Sequence, residues 1–416
     1  MKFSLSWLKE HLETHADADT LSRALTMLGL EVESVTDRAA SLQAFTVAQI
    51  TETRPHPDAS KLQVCQVNTG NESLQVVCGA PNARPGLKVV LARPGVHVPG
   101  LNVTLKKAAI RGVESNGMLC SSAELELGGD QSGILELPDS AIPGQPFAPF
   151  LGLDDPLFDI AITPNRGDCL SIRGIARDLA AAGLGRLRPW TPPAIREAGP
   201  TPVRVTIAPD TPCPLFAMRL ISGVTNGPSP EWLQKRLETA GLRPISTLVD
   251  ITNYFAYHLG RPLHVFDADK LQGKNLTITT AEGGESFQAL GDRTLNLPAG
   301  SLIIRDEAGI VSLAGIAGGA ATGCTEGTGT VLLESAVFDA AAIARTGQAL
   351  GVLTDARSRF ERGVDSALAL PALDAAAALI QELCGGAIHG VAQAGEAPGP
   401  ANAIPFATGE MASLTG

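Results

Sequence analysis

Residues 241–269, with the sequence GLRPISTLVDITNYFAYHLGRPLHVFDAD, set hydrogen-bonding side chains into an apolar framework. The side chains in it that could do chemistry are those of Arg243, Thr252, Asn253 and His264. Groups of these types can hold a water molecule, a hydroxyl or a carbonyl in place. A segment that resembles a core yet is repeatedly polar predicts the wall of a ligand pocket. The alternative is that His264 is a hydrogen-bonded core histidine and that Thr252 and Asn253 cap a helix or form a turn.

Two later phrases could contribute to the same pocket. Residues 313–320, LAGIAGGA, contain glycines that let the backbone approach a ligand, and their N–H groups could bind an oxyanion or a carbonyl. A tightly packed strand of small residues is the alternative for this phrase. Glu334 follows three aliphatic residues on a predicted buried strand, where an unpaired carboxylate is costly. It is therefore either a binding group or one half of a buried ion pair, with Arg243 or Arg345 as the partner.

A further phrase, LTDARSRFERG at residues 353–363, alternates acidic residues with arginines after a predicted helix. Such alternation is typical of a network of salt bridges. We interpret Arg359, Glu361 and Arg362 as members of such a network. Elsewhere, Arg166, Asp168 and Arg173 form a similar charged group, for which we expect salt bridges between domains.

The charge of the chain limits its possible partners. The net charge is −11 and the pI about 5.2, whereas strong binding to nucleic acid requires clustered Lys and Arg. Any affinity for RNA is therefore expected to come from a local patch or from another subunit. Only 4% of the residues are aromatic, so stacking platforms for single-stranded nucleic acid are scarce.

Composition predicts a soluble protein of two to four domains. The chain has 416 residues, 44% of them hydrophobic, and a mean hydropathy of +0.13. Its seven cysteines are scattered without a C-x-x-C motif, which favours reduced thiols in the cytoplasm over disulfides or a zinc site. No segment reads as a signal peptide or as long and apolar enough to span a membrane.

The pattern of apolar, polar and turn-forming residues changes several times along the chain. Residues 1–38 predict two short helices, and 39–150 predict short strands with Gly/Pro turns, as in a small β-barrel. A strand and a helix follow in 151–190, and a proline-rich linker occupies 191–202. Residues 203–392 alternate strand and helix patterns, and 393–416 read as a linker with the start of another domain.

Five phrases carry a resemblance to one family. HPDASKLQV, VCGAPNARPG and RGVESNGMLCS, at residues 56–64, 77–86 and 111–121, are similar in order to an OB-fold tRNA-binding module. VDITNY and RPLHVFDADK, at residues 249–254 and 261–270, resemble the editing domain of the bacterial phenylalanyl-tRNA synthetase beta subunit. The resemblance covers essentially the whole chain and implies the N-terminal half of such a subunit.

The implied fold is an α+β multidomain architecture. It has a split helical/strand N-terminal domain (1–38 with 151–190), an inserted OB-fold β-barrel (39–150) and a mixed α/β editing domain (203–392). The implied partners are the alpha subunit, in an alpha2beta2 heterotetramer, and tRNA(Phe), without membrane association. ATP and Mg²⁺ are implied for the assembled enzyme, and no cofactor or metal for this chain. A non-catalytic tRNA-binding or assembly module with an idle pocket is the alternative function.

The resemblance also implies roles for single residues. Its editing site hydrolyses wrongly made tyrosyl-tRNA, and the residues matching its lining or lying close to it are His264, Gly318, Glu334, Thr354, Ala356, Arg243, Thr252 and Asn253. We expect His264, Thr354 and Asn253 to hold the attacking water or the terminal ribose, and Glu334 to bind the tyrosine hydroxyl. Gly318 and Ala356 would keep the slot for the aromatic ring narrow. This chain has Arg357 where the family phrase usually has a small residue.

The predicted barrel has no overall basic field, since residues 39–150 contain eight Lys/Arg and nine Asp/Glu. Five of the basic residues could still form a local face for phosphates, with solvated surface side chains as the equally weighted alternative. These five are Lys61, Arg84, Lys106, Lys107 and Arg111.

Overall fold

The computed structural model describes residues 1–130, 132–291, 293–399 and 403–415. Within these ranges the chain has a mixed α/β architecture with several sheets. Its backbone contacts divide it into two compact units. Unit 1 comprises Met1–Phe3, Trp7–Glu33 and Asp159–Gly416, and unit 2 comprises Ser4–Ser6 and Ser34–Phe158.

Eleven α-helices lie in the described ranges. They are α1 (Leu5–His11), α2 (Ala18–Met27), α3 (Arg38–Leu42), α4 (Phe147–Phe150), α5 (Ile172–Ala181), α6 (Glu231–Thr239), α7 (Thr247–His258), α8 (Ala340–Leu350), α9 (Asp355–Phe360), α10 (Ala369–Cys384) and α11 (Gly409–Thr415).

Short strands fill much of the remaining chain. The first twelve, up to the end of the predicted barrel, are β1 (Lys2–Ser4), β2 (Leu12–Glu13), β3 (Val32–Thr36), β4 (Thr46–His56), β5 (Ala59–Asn68), β6 (Ser73–Cys78), β7 (Lys88–Ala92), β8 (His97–Val98), β9 (Val103–Thr104), β10 (Ala108–Ile110), β11 (Val113–Ser115) and β12 (Met118–Leu119). The others are β13 (Leu157–Ile160), β14 (Arg186–Leu187), β15 (Arg204–Ile207), β16 (Leu215–Ser222), β17 (His264–Asp267), β18 (Asn275–Thr280), β19 (Ser286–Ala289), β20 (Arg293–Asn296), β21 (Leu302–Arg305), β22 (Ile310–Leu313), β23 (Ala317–Gly318), β24 (Thr330–Val337) and β25 (Ala387–Gly395).

Unit 2 is built on a five-stranded antiparallel sheet in the order β12-β7-β4-β5-β6. After Lys88 at its start, strand β7 is apolar because it is buried on both faces. Val90 and Ala92 belong to one hydrophobic cluster, whereas Val89 and Leu91, with the alternate orientation, belong to another. Strands β12 and β6 at the two ends are not paired with each other in the described ranges. The sheet is therefore open there, and the barrel stays a prediction.

Unit 1 contains two larger sheets. An antiparallel sheet has the order β17-β24-β16-β25, and a second sheet has the order β15-β18-β21-β22-β23, in which only β15–β18 is parallel. One hydrophobic core joins the two sheets, with Phe216 and Phe266 from the first and Ile278, Ile304 and Leu313 from the second. This core supports the strands that carry the site.

Helix α10 contradicts one expectation from the sequence. The segment Ser366–Cys384 is long and apolar enough, by length and composition, to cross a membrane. The expectation that no segment reaches this length was therefore wrong. In the structure its buried face, including Ala372, Leu373, Ala376 and Ile380, belongs to the protein core. The small side chains allow the helix to pack closely on β16 and β24, and a core helix of this kind passes the same test of composition.

Candidate functional site

A cavity of about 650 Å³ lies in unit 1 between α7, β17, the β22–β23 hairpin, β24 and the start of α9. Seven of the eight pocket residues named from the sequence line it: Thr252, Asn253, His264, Gly318, Glu334, Thr354 and Ala356. The exception is Arg243, which is exposed in the loop before α7 and does not line the cavity. Segments more than a hundred residues apart in the chain are thus brought together.

His264 and Glu334 are directly opposite each other on the antiparallel strands β17 and β24. Opposite residues in such a pair point to the same face of the sheet, and both side chains line the cavity. His264 as a whole residue is only partly buried, yet its Nε2 is shielded from solvent, as is Oε2 of Glu334. Neither atom has a hydrogen-bond partner in the described parts of the chain. Buried polar atoms are nearly always paired, so this arrangement is typical of groups that bind a ligand.

Burial sets the protonation of both groups. It raises the pKa of Glu334 to about 8, although the positive charge of Arg261 works in the opposite direction. Burial lowers the pKa of His264 to about 4. At neutral pH the pocket therefore presents a protonated carboxyl, which can both donate and accept a hydrogen bond, and a neutral imidazole.

The sequence did not identify Arg261, the charged residue that affects Glu334. Its guanidinium is buried and donates to the carbonyl oxygens of Ala336 and Asp365 (3.1 Å for the latter) and to Oγ of Ser335 at 3.3 Å. The predicted ion-pair partners of Glu334, Arg243 and Arg345, are both exposed, so that pairing was wrong. An arginine within an apolar stretch, immediately before Pro262, was the available sequence signal.

The glycine-rich phrase forms the hairpin β22–β23, with its turn at residues 314–316. Gly315 has φ +68°, and a side chain there would meet the rings of Phe338 and Phe360. A Cβ on Gly318 would lie 2.4 Å from Cε1 and 2.7 Å from Nε2 of His264. The N–H of Gly319 donates to the carbonyl of Val311 at 2.9 Å and is therefore not available to a ligand. The absence of a side chain at Gly318 thus leaves room for the imidazole ring of His264.

Alanine in place of Gly318 should displace the His264 ring, because no real side chain tolerates contacts this short. We expect the hydrolysis of tyrosyl-tRNA that the resemblance implies to fall by at least about tenfold, as a displacement of about 1 Å can cost a hundredfold. The matched control is Gly309→Ala, in the turn between β21 and β22, where an added Cβ would meet nothing within 4 Å and which does not line the cavity. Rate measurements on the two variants, with thermal unfolding as a check on folding, decide the matter. Equal rates for both would contradict this role.

The remaining polar groups of the pocket differ in how they are engaged. Oγ1 of Thr354 donates to the carbonyl of Ile316 at 2.9 Å and caps α9 by accepting from the N–H of Arg357 at 3.1 Å. A hydroxyl has one donor and two acceptor sites, so one acceptor site is left for a ligand. Thr252, in the middle of α7, donates to the carbonyl of Val249 at 2.7 Å. Asn253 makes no side-chain hydrogen bond to any described residue and so keeps its full capacity.

Leu290 and Cys324 are among the wall residues that the sequence analysis did not identify. Leu290 follows β19 and is attached to the hairpin through its N–H, which donates to the carbonyl of Gly318 at 2.9 Å. Cys324 lines the cavity as well, and burial raises the pKa of its thiol to about 12. It stays protonated at neutral pH and is not suited to act as a nucleophile. Both residues were missed because neither stands within one of the phrases from which the pocket was predicted.

Three comparisons with known proteins bear on this site. A family model described as "B3/4 domain" matches residues 212–385, which contain the cavity, and one described as "Putative tRNA binding domain" matches residues 45–146. The phenylalanine–tRNA ligase beta subunits of Brucella suis and Bradyrhizobium diazoefficiens are 54% and 51% identical to this chain, over 420 and 418 residues. Both matches cover 100% of this chain.

The chain belongs to the phenylalanine–tRNA ligase beta-subunit family. It spans about half the length of these relatives, since each match covers 52% of the relative. A solved N-terminal fragment of the phenylalanyl-tRNA synthetase beta subunit from Pyrococcus horikoshii is 17% identical, covering 44% of this chain and 55% of that one. Its TM-score is 0.27, too low to support a statement about the fold.

All five basic residues named from the sequence fall within the segment that matches the tRNA-binding family model. All five are exposed. Arg84 pairs with Glu136 and Lys107 with Glu114, at 2.8 Å and 2.7 Å, and Arg111 donates to the carbonyl of Asp58 at 3.0 Å. Lys61 and Lys106 make no ion pair with any described residue. Part of the predicted phosphate-binding charge is therefore already neutralised.

The charged side chains of residues 166–178 form ion pairs with one another. Arg166 pairs with Asp168 at 3.1 Å and also with Asp178, and Arg177 pairs with the same two carboxylates. The expected salt bridges between domains were therefore wrong, because these partners all lie in residues 166–178. Asp168, Cys169 and Asp178 form the one cluster of metal-binding side chains found in the described ranges. The arginines occupy both carboxylates, so the donor set does not fit a Mg²⁺ ion.

The predicted salt bridges in residues 353–363 are partly confirmed. Glu361 pairs with Arg357 at 2.8 Å, and Arg359 pairs with Asp355 at 3.1 Å. Each pair is one helical turn apart. For Arg362 the prediction was wrong, as its contact within the described ranges is with the carbonyl of Ile162.

Proposed function

We propose that the 650 Å³ cavity is an editing site that hydrolyses tyrosyl-tRNA(Phe) within the beta subunit of phenylalanine–tRNA ligase. The observation that carries this proposal is the pair of buried polar atoms, Nε2 of His264 and Oε2 of Glu334, that face an apolar cavity without partners. The names of the relatives and the match to the B3/4 family model support it. Charging of tRNA(Phe) with phenylalanine belongs to the assembled ligase.

The proposed selectivity rests on one hydroxyl. A synthetic pocket built for phenylalanine rejects an added hydroxyl only about a hundredfold. A second site that hydrogen-bonds this hydroxyl can discriminate by about ten thousandfold, because its buried polar groups stay unpaired with the wrong substrate. Glu334 is placed for this task, as its carboxyl lies in the cavity and lacks a partner. Gly318 and Ala356 limit the width of the slot for the ring.

The proposed hydrolysis needs positioning more than a strong base. An aminoacyl ester is already activated, so a water molecule held beside its carbonyl supplies most of what the reaction requires. His264 and Asn253 are the groups with unused hydrogen-bonding capacity for the water or the terminal ribose. Thr354 links the β22–β23 hairpin to the start of α9. Its remaining acceptor site is available to the water or the ribose.

The proposal also includes the domain boundaries, the partners and the cofactors of the assembled enzyme. Residues 1–38 with 151–190 form a split domain, 39–150 an OB-fold barrel that binds tRNA through Lys61, Lys106 and their neighbours, and 203–392 the editing domain. Residues 191–202 are a linker, and 393–416 lead into a further domain. The partners are an alpha subunit, in an alpha2beta2 assembly, and tRNA(Phe). ATP and Mg²⁺ act in the assembled cytoplasmic enzyme, and no step of the proposed hydrolysis uses them.

The test is deacylation of tyrosyl-tRNA(Phe) beside phenylalanyl-tRNA(Phe) by this chain and by the alpha/beta enzyme. We expect the tyrosyl ester to be cleaved faster by at least about a hundredfold in the enzyme. Hydrolysis by the enzyme alone would show that tRNA delivery requires the other parts. Binding of tyrosine without hydrolysis by either would contradict the proposal and favour the non-catalytic module with an idle pocket, which the relatives do not favour.

A further inference from the structure

A second cavity, of about 770 Å³, lies in unit 1 and is unrelated to the proposed editing site. Its walls come from residues 165–177 around the start of α5, from 187–192, from 259–260 and from 362–371. Three guanidinium groups and two carboxylates face it: Arg173, Arg177, Arg362, Asp168 and Asp365. A net positive lining is unexpected in a chain whose net charge is −11.

The two carboxylates are already engaged. Asp168 binds Arg177 and also Arg166, which lies outside the lining. Asp365 caps a short 3-10 turn by accepting from the N–H of Ala367 at 2.9 Å. Arg166 and Arg177 therefore balance Asp168 and its neighbour Asp178. Asp365 forms no ion pair within the described ranges, and neither do Arg173 and Arg362, so two guanidinium groups stand against one carboxylate in the rest of the lining.

Arg173 has donors to spare. A guanidinium carries five N–H groups, yet both contacts of Arg173 use Nη1, to the carbonyl of Arg188 at 3.3 Å and to Nδ1 of His11 at 3.5 Å. It forms no ion pair within the described ranges. Burial, together with the nearby charge of Arg177, lowers the pKa of this guanidinium, which indicates a cation that lacks compensation. Trp190 lies beside it, with the guanidinium carbon 6.0 Å from the ring centroid.

Arg362 approaches from another segment. Its contact with the described chain is a long one, from Nη1 to the carbonyl of Ile162 at 3.5 Å. Gly167 packs closely against the backbone at this position, where an added Cβ would lie 2.9 Å from the carbonyl oxygen of Arg362. A partly buried guanidinium on a closely packed segment, without a carboxylate partner in the described ranges, is suited to bind an anion.

We propose that this cavity binds the phosphate group of a nucleotide, with Arg173 and Arg362 as its ligands. Two guanidinium groups from separate segments suit a phosphate, which offers several oxygens to planar donors. The cavity is larger than one phosphate requires, and Leu187, Trp190 and Pro192 give it an apolar wall for a base or a ribose. The phosphate can come from a free nucleotide or from the backbone of an RNA chain, which offers the same group.

The experiment is isothermal titration of the full chain at low ionic strength with inorganic phosphate, AMP and a short single-stranded RNA. Arg173→Gln and Arg362→Gln keep a hydrogen-bonding side chain and remove one charge each. The matched control is Arg204→Gln, which removes the same charge from an exposed position on β15, away from the cavity. Thermal unfolding of each variant shows that the fold is retained.

We expect at least one phosphate probe to bind, and each cavity variant to weaken that binding on the order of tenfold, with little effect from Arg204→Gln. A larger affinity for AMP than for the RNA identifies a free nucleotide as the source, and the reverse identifies an RNA backbone. The inference is overturned if no probe binds, or if the three variants bind alike. Because Arg362→Gln and Arg173→Gln lie on different segments, misfolding of one leaves the other as a valid test.

Discussion

Glu334→Ala should remove most of the preference for tyrosyl-tRNA(Phe) over phenylalanyl-tRNA(Phe). The variant leaves the buried tyrosine hydroxyl without its partner, and an unsatisfied buried group costs about 1–3 kcal/mol. Cleavage of the tyrosyl ester should therefore fall on the order of a hundredfold. Cleavage of the phenylalanyl ester should change little, since its ring has no group for Glu334 to bind. The ratio of kcat/KM for the two esters is the measurement.

Two further variants separate the role of Glu334 from a general disturbance. Glu334→Gln keeps the shape and the capacity to donate and accept, so it should retain part of the selectivity. Glu382→Ala removes an exposed carboxylate from α10 and should behave as the parent protein. If Glu334→Ala discriminated between the esters as well as the parent protein does, Glu334 would not be the residue that reads the hydroxyl.

Glu334→Gln should also change how the stability of unit 1 depends on pH. Burial raises the pKa of Glu334 from 4.5 to about 8 in the folded chain. Between these values the unfolded carboxyl is ionised while the folded one stays protonated, so the free energy of unfolding falls as pH rises, by about 1.4 kcal/mol per pH unit. The contribution of protonated Glu334 to the free energy of unfolding is fully present below pH 4.5 and is lost by pH 8. Glutamine removes this dependence, and the variant should gain a few kcal/mol relative to the parent between pH 5 and pH 8.

Urea unfolding at several pH values measures this difference. All three tryptophans, Trp7, Trp190 and Trp232, lie in unit 1, so their fluorescence reports on the relevant part of the chain. His264 contributes in the opposite direction, since its lowered pKa of about 4 makes stability rise with pH up to about 6.5, but it is present in both proteins and cancels. Exposed Glu382→Gln serves as the control. A difference between parent and Glu334→Gln that stayed constant with pH would contradict burial of an ionisable carboxyl.

Local patterns in the sequence predicted much of the pocket. The polar residues set into the apolar phrase 241–269 indicated a pocket wall, and Thr252, Asn253 and His264 do line one. Three aliphatic residues before Glu334 indicated a buried strand, which is β24. These predictions succeeded because alternating burial on a strand and turn formation at glycine are properties of neighbouring residues. The phrases quoted from the sequence also predicted membership of the beta-subunit family, which the relatives confirm.

Other features were beyond the reach of local patterns. The apolar length of segment 366–384 could be read from the sequence, but its burial in the protein core could not, because a core helix and a lipid-embedded helix have the same composition. The predicted partners of Arg166 and Arg362 were wrong. Alternating charge indicates that a side chain will form an ion pair, but it does not identify the partner residue. Arg261 was overlooked because its significance depends on Glu334, more than seventy residues away.

The sequence by itself determined the types of groups available for chemistry and the strands, helices and turns that carry them, since these depend on neighbours in the chain. Only the tertiary structure decided that His264 faces Glu334, because the register between β17 and β24 is set by packing across the sheet. It also decided that both polar atoms are buried without partners, and hence that Glu334 is protonated at neutral pH. Burial and long-range charge depend on every segment that surrounds a residue, and so they appear only when the chain is folded.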